Sequence, residues 1–238
     1  MSQSVLVTGA SGGIGRAISL AFGKAGWFVG LHYYTGKVGA ESTLRQIDKA
    51  GGTGAVYEAD IRDALSVQHM VAAFCRDSAK PAAFVCAAGV GRSSLLLKQQ
   101  VDDWANVIAT NLTGIFHCLC AMAPALLPQG GGSIVVVGSY AGYHGSVGQS
   151  AYAASKAGLI GLVKTAALEW GPENIRVNLL LPGWQNTKLS EEALPEGWND
   201  HALRRPPLLE EVALSVVHLA QLKDVSGQVW NCDSRNLS

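Results

Sequence analysis

The sequence lacks any strong imbalance of charge. Lysine plus arginine number 18, aspartate plus glutamate also number 18, and no long run of like charge occurs in the 238 residues. Proteins that bind nucleic acids or anionic membrane surfaces through charge carry basic clusters. We therefore expect neither partner. An uninterrupted apolar run of about 18 residues, the length that crosses a membrane, is missing as well.

Cysteines are few, and their spacing forms no pattern. The five, at 75, 86, 118, 120 and 232, are odd in number and scattered. Neither a disulfide framework nor a zinc site is expected from such spacing. We expect buried thiols in a reducing compartment and no metal. The N-terminus enters an apolar segment without a charged leader, which predicts a cytoplasmic protein.

What the sequence does contain is a regular alternation of short apolar runs and helical periodicity. Strands are predicted at 4–8, 27–32, 54–60, 82–86, 133–138, 175–181 and 228–232, and helices near 16–25, 40–50, 64–78, 102–127, 152–170 and 208–222. Strands that are apolar throughout indicate a parallel sheet covered on both faces. The predicted fold is a doubly wound α/β sheet of about seven strands in one domain, residues 1–238, with the irregular stretch 184–205 as a mobile lid.

A glycine-rich turn follows the first strand. Gly9, Gly13 and Gly15 in Gly-Ala-Ser-Gly-Gly-Ile-Gly separate this strand from a helix. Glycines let the backbone approach a pyrophosphate, and the amides that open the helix favour its charge. A tight strand-to-helix connection is the alternative interpretation. In doubly wound sheets ligands bind beyond the carboxyl ends of the strands. The other predicted strand ends at that edge are followed by Asp60, Gly89, Ser139 and Pro182.

Three residues can carry chemistry at this edge. Tyr152 and Lys156 lie one turn apart on a predicted helix, and Ser139 precedes the tyrosine by thirteen residues. A nearby positive charge lowers the pKa of a phenol from about 10. Such a tyrosine can donate a proton to a ketone oxygen, to which the serine can hydrogen bond. The spacing alone also fits an ordinary helix, since Tyr33 and Lys37 share it.

Together these segments resemble the classical short-chain dehydrogenase/reductase family over nearly the whole chain, which implies a Rossmann-like fold. The resemblance implies a catalytic tetrad of Asn111, Ser139, Tyr152 and Lys156. In it Tyr152 is the acid/base, Ser139 polarises the carbonyl, Lys156 binds ribose and lowers the tyrosine pKa, and Asn111 supports a water relay. The expected cofactor contacts are Gly9, Ser11, Gly13, Ile14, Gly15, Lys37, Asp60, Ile61, Ala88, Gly89, Tyr152, Lys156, Pro182, Gly183 and Thr187.

Within the family, residues 148–161 are most similar to the 3-oxoacyl thioester (acyl-carrier-protein) reductases. This similarity implies reduction of a 3-oxoacyl thioester in fatty acid biosynthesis by a homo-oligomer, a tetramer or dimer. NADP(H) is favoured over NAD(H), because the segment 32–37 after the second strand has no acid and Lys37 can meet a 2′-phosphate. Gly12, however, stands where NADP-specific relatives often carry a basic residue.

The sequence departs from the family pattern in three places. The segment Cys86-Ala87-Ala88-Gly89 lacks the paired asparagines usual in the family, so its local support must come from elsewhere. Cys232-Asp-Ser-Arg235 replaces the usual Asp-Gly-Gly ending. No lysine or arginine lies between 98 and 156, where reductases that dock an acidic carrier protein have basic residues. A coenzyme A thioester or a small ketone is therefore an alternative substrate. A polyketide, a cyclic ketone or a sugar also remains open, as does a non-catalytic dinucleotide-binding sensor.

Overall fold

The computed structural model describes residues 3–78, 80–187, 198–235 and 237. Its seven strands are β1 Ser4–Thr8, β2 Phe28–Tyr33, β3 Thr53–Glu58, β4 Pro81–Cys86, β5 Gly132–Val137, β6 Ile175–Leu181 and β7 Val229–Asn231. They form one parallel sheet in the order β3-β2-β1-β4-β5-β6-β7. The predicted doubly wound fold is confirmed, with each strand within two residues of its predicted position.

Helices cover both faces of the sheet. They are α1 Gly13–Lys24, α2 Lys37–Lys49, α3 Ala64–Asp77, α4 Val101–Ile108, α5 Gly114–Leu126, α6 Ala141–His144, α7 Ser150–Trp170 and α8 Leu209–Gln221. The long helix predicted at 102–127 contains a π-helical turn, Ala109–Thr113, between α4 and α5. The short helix α6 was not predicted, because four residues are too few to show a period.

The central strands β1, β4 and β5 are mostly apolar because each one contributes to two cores. In β1, Leu6 belongs to the core beneath α3, α5 and α7, whereas Val5 and Val7 belong to the core beneath α1 and α8. In β5, Ile134 and Val135 divide between the two cores in the same way. Side chains of a strand alternate between faces. A sheet covered on both sides therefore needs hydrophobic residues at every position.

The helical segment that contains α4 and α5 is long and apolar. By length and composition alone, Val101–Gln129 would be long enough to cross a membrane. Its buried side chains, among them Ile115, Leu119 and Met122, pack into the hydrophobic core instead. Contact with the core accounts for its apolar composition.

The prediction that all five cysteines are buried is wrong. Cys86 and Cys118 are buried, Cys75 and Cys232 are partly exposed, and Cys120 is exposed. Cys118 and Cys120 are two residues apart on α5, and side chains at that spacing point to different faces of a helix. One of the two must therefore leave the core. Within the described ranges no cluster of three or more potential metal ligands occurs.

Candidate active site

A cleft of about 590 Å³ opens where the strand order reverses, beyond the carboxyl ends of β4, β5 and β6. Such a reversal leaves a crevice, because the connections from neighbouring strands leave toward opposite faces of the sheet. The cleft brings together eight of the predicted site residues: Ile14, Gly89, Ser139, Tyr152, Lys156, Pro182, Gly183 and Thr187.

The glycine turn beside the cleft has no room for side chains. Gly9 has φ +71°, and a Cβ there would lie 2.8 Å from the Cα of Ala88. A Cβ at Gly15 would lie 2.3 Å from the carbonyl oxygen of Gly9. Helix α1 then begins without an acidic residue in its first turn or a side-chain cap, so its amides and dipole favour an anion. This cradle fits the pyrophosphate of a dinucleotide.

Thr8 supports the segment that lacks the family's asparagines. Its Oγ1 accepts hydrogen bonds from the backbone N–H groups of Ala87 at 3.0 Å and Ala88 at 3.1 Å. The hydroxyl is fully buried and donates to the carbonyl of Val85. Sequence reasoning identified the missing support but not its source, which lies 79 residues earlier in the chain.

His32 is a second residue that sequence reasoning missed. Its Nδ1 accepts a hydrogen bond from the N–H of Gly9 at 3.0 Å, and its Nε2 lies 3.0 Å from the carbonyl oxygen of Ala59. A backbone N–H only donates, so Nδ1 is unprotonated and Nε2 carries the hydrogen that Ala59 accepts. Burial lowers the pKa of His32, which keeps the ring neutral. The imidazole thus joins the glycine turn to the end of β3.

Tyr152, Ser139 and Lys156 meet on the wall of the cleft. The Ser139 side chain hydrogen bonds to the phenol, and the Nζ of Lys156 lies 5.7 Å from the centre of the Tyr152 ring. The Nζ also donates to the carbonyl of Val137 at 2.8 Å. Two elements create this arrangement, since Ser139 follows the end of β5 whereas the other two residues occupy successive turns of α7.

The pKa values of this group differ from the sequence expectation. Burial raises the pKa of Tyr152 above its usual value, and the hydrogen bond from Ser139 partly opposes the increase. Burial also lowers the pKa of Lys156 to about 8. In the chain without a bound cofactor, burial is the main influence on the Tyr152 pKa, and it acts in the direction opposite to the lowering expected from Lys156.

Asn111 lies behind the cleft, in the π-helical turn between α4 and α5. Its side chain is fully buried, accepts from the N–H of Val90 at 2.8 Å and donates to the carbonyl of Val90 at 2.8 Å. A Cβ at Gly89 would lie 3.2 Å from the Asn111 Oδ1 and 3.9 Å from the Lys156 Nζ. Asn111 therefore fixes the loop after β4 close to Lys156.

Other predicted cofactor residues lie beyond this cleft. Asp60 pairs with Arg62 at 2.6 Å, and this pairing lowers the pKa of its carboxyl. Ile61 is buried, and a Cβ at Gly114 would lie 2.8 Å from its side chain. Lys37 is exposed at the start of α2. Ser11 brings the glycine turn into contact with the start of that helix, since a Cβ built at Gly36 would lie 2.7 Å from the Cβ of Ser11.

The doubly wound sheet, the glycine cradle and the Ser139, Tyr152 and Lys156 group define the class as a nicotinamide-dependent oxidoreductase. A family model described as short chain dehydrogenase matches residues 3–197. The chain belongs to the short-chain dehydrogenase/reductase family.

Curated relatives extend over almost the full chain. A 3-oxoacyl-[acyl-carrier-protein] reductase FabG of Staphylococcus aureus is 34% identical, covering 96% of this chain and 95% of the relative. FabG of Thermotoga maritima is 36% identical at the same two coverages. A solved structure described as a short-chain alcohol dehydrogenase of Sinorhizobium meliloti superposes with a TM-score of 0.92 at 28% identity, covering 98% of this chain and 96% of the other.

Proposed function

We propose that this protein uses NADP(H) to reduce the keto group of a 3-oxoacyl thioester to a secondary alcohol. The observation that carries the proposal is the meeting of Ser139, Tyr152 and Lys156 in the cleft beside the glycine cradle. The relatives named 3-oxoacyl-[acyl-carrier-protein] reductases support the thioester as substrate.

In this proposal Tyr152 donates the proton, and Ser139 orients the substrate oxygen that receives it. A nicotinamide cofactor held beside this group would supply the hydride for the carbonyl carbon. The carbonyl oxygen takes its proton from the phenol of Tyr152, and Ser139 donates a hydrogen bond to the same oxygen as negative charge develops on it. A raised pKa keeps the phenol protonated at neutral pH, which is the form that reduction consumes.

Lys156 and Asn111 complete the proposed machinery. Lys156 carries its charge below a pKa of about 8 and would hold the ribose beside Tyr152. Asn111 would position Lys156 through the backbone near Gly89 and would support a water relay. The residues that would hold the rest of the dinucleotide are the predicted contacts in the glycine turn, after β4 and β6, and at Asp60 and Ile61.

The preference for NADP(H) rests on the charges near the end of β2. The segment 32–37 at the end of β2 contains no acidic residue. On the neighbouring strand β3, Glu58 accepts a hydrogen bond from the Tyr33 hydroxyl at 3.0 Å. Lys37 opens α2, whose first turn contains no acidic residue. Both features favour a phosphate on the ribose. Gly12 faces open space, which leaves room for that phosphate.

A homo-oligomer in the cytoplasm is the proposed setting. Exposed hydrophobic residues on and just before the helical segment α4–α5 and on α7 include Leu97, Val101, Phe116 and Leu168, and a second subunit would cover them. An acidic carrier protein would find no lysine or arginine on α4 or α5, so a coenzyme A thioester is an alternative substrate. Within the lid proposed at 184–205, residues 188–197 lie outside the described residues.

The test is NADPH consumption with a short 3-oxoacyl thioester, followed by absorbance. The wild type should consume NADPH and Tyr152→Phe should not, while Tyr143→Phe, an exposed tyrosine near the cleft, should keep the wild-type rate. If NADPH binds but is not consumed with thioesters, the substrate assignment is wrong. If Tyr152→Phe keeps full activity, the catalytic assignment is wrong.

A further inference from the structure

One wall of the cleft has no role in the proposed proton transfer. Arg235 and Asp200 line the cleft together with Tyr140, the residue after Ser139. The Cζ of Arg235 lies 3.8 Å from the centre of the Tyr140 ring. That ring also stacks on His144, with the ring centres 4.4 Å apart. Tyr140 and Arg235 thus fix each other's position beside the proposed catalytic serine.

Asp233 holds Arg235 from behind. Its Oδ2 accepts from the Nε of Arg235 at 2.8 Å and also from Nη2, while its Oδ1 accepts from the backbone N–H of Arg235 at 2.9 Å. The Asp233 side chain is 0% exposed and that of Arg235 is 14% exposed. Separating a buried pair leaves an uncompensated charge. The arginine therefore cannot readily leave the wall when a ligand enters.

The other edge of the guanidinium remains available to a ligand. Nη1 lies 3.9 Å from the Oδ2 of Asp200, beyond hydrogen-bond distance. No hydrogen-bond acceptor for Nη1 occurs among the residues that the structure describes. The Asp200 side chain is 57% exposed, and its Oδ1 lies 2.7 Å from the Nδ1 of His201. This wall consequently offers the cleft an N–H donor, a carboxylate and a phenol ring.

We propose that Arg235 determines substrate choice, so that the enzyme prefers short 3-oxoacyl thioesters and small polar ketones to long-chain substrates. The inference rests on the proposed function. An alkyl chain along this wall would displace water from the guanidinium and from Asp200 without replacing the lost hydrogen bonds. An oxygen of a short substrate can instead accept from Nη1. Arg235 stands where the usual Asp-Gly-Gly ending of the family has its last glycine. The charged wall is therefore a feature of this chain and not of the family pattern.

Binding without turnover provides the test. Protein loaded with NADP⁺, which cannot reduce a ketone, is titrated with N-acetylcysteamine thioesters of 3-oxobutanoate and 3-oxododecanoate. Quenching of tryptophan fluorescence reports binding, since Trp184 lines the cleft. Arg235→Met keeps much of the side-chain volume and removes the charge. The double variant Arg235→Met with Asp233→Asn avoids a lone buried carboxylate, and Arg76→Ala, which alters an exposed arginine in the last turn of α3, is the control.

The wild type should bind the short thioester at least as tightly as the long one. Both Arg235 variants should improve binding of the long thioester relative to the short one by about tenfold, and Arg76→Ala should keep the wild-type ratio. A wild type that already binds the long thioester tenfold more tightly, or a ratio unchanged in folded Arg235 variants, overturns the inference. NADPH consumption is measured separately, so failure of the proposed reaction is recognised independently of chain-length selection.

Discussion

The backbone N–H of Gly9 donates to the Nδ1 of His32 at 3.0 Å, and this bond fixes one tautomer of a buried histidine. The relationship joins the first residue of the glycine turn to the end of the neighbouring strand. Protonation would place an N–H on Nδ1 facing the N–H of Gly9. The turn is thus stable only around the neutral ring.

The first prediction concerns the pH dependence of stability. His32 has a pKa below that of an unfolded histidine, although Ala59 and Asp60 oppose the shift. The unfolded chain therefore takes up its proton first as pH falls, and stability decreases below about pH 6.5. His32→Gln should weaken this decrease in urea unfolding between pH 7.5 and 5, whereas the exposed His69→Gln should not. An unchanged pH slope in His32→Gln would contradict the assignment.

Thr8 should control cofactor affinity through the loop after β4. Thr8→Val keeps the shape of the side chain but leaves the N–H groups of Ala87 and Ala88 without their acceptor, at a cost of about 1–3 kcal/mol. We expect NADPH to bind about tenfold more weakly in a fluorescence titration. Thr8→Ser retains the hydroxyl and should bind as the wild type does. Equal binding by Thr8→Val and the wild type would show that the loop needs no such support.

We expect Ser139 to determine the pH above which kcat/KM for reduction falls. Its hydrogen bond lowers the pKa of Tyr152, so Ser139→Ala should raise that pKa and keep the phenol protonated to higher pH. The alkaline limb of kcat/KM should move upward while the maximum falls about 100-fold. Ser146→Ala, another serine of the cleft, should leave the profile unchanged. A limb that stays in place or moves downward contradicts the assignment.

Lys156 should reduce the stability of the fold. Its pKa of about 8 instead of 10.5 means that holding the charge below pH 8 costs about 3 kcal/mol. Stability should rise between pH 8 and 10.5, where the folded protein has released this proton and the unfolded chain has not. Lys156→Met should abolish reduction and stabilise the protein at pH 7 by about 2 kcal/mol, because the lost bond to Val137 offsets part of the gain.

Denaturant unfolding at pH 7 and pH 10 measures this effect. Lys164→Met alters an exposed lysine on the same helix and should be neutral within about 0.5 kcal/mol. Destabilisation of Lys156→Met at pH 7 would show that the charge is better compensated than its burial indicates.

Lys37 should distinguish the two nicotinamide cofactors. If its ammonium meets the 2′-phosphate, Lys37→Ala should weaken NADPH binding about tenfold and leave NADH binding unchanged. Lys49→Ala, at the opposite end of α2, is the control. Equal losses for both cofactors, or a wild type that binds NADH as tightly as NADPH, would reject the proposed preference.

The local sequence pattern was sufficient to predict the sheet, the glycine turn and the proximity of Tyr152 and Lys156. The strands were predictable because both faces of the sheet are buried, and Tyr152 and Lys156 because a helix places residues four apart side by side. The roles of Thr8 and His32 could not be predicted in this way. Their partners lie 79 and 23 residues away, and only strand order brings them into contact.

The sequence by itself determined the fold class, the family and which side chains could carry chemistry, since these depend on period and spacing. Only the tertiary structure decided the direction of the Tyr152 pKa, the support of the loop after β4, and the wall formed by Arg235. These depend on water exclusion and on contacts between distant segments. Burial raises the pKa of the Tyr152 phenol, and no local pattern records how deeply a side chain is buried.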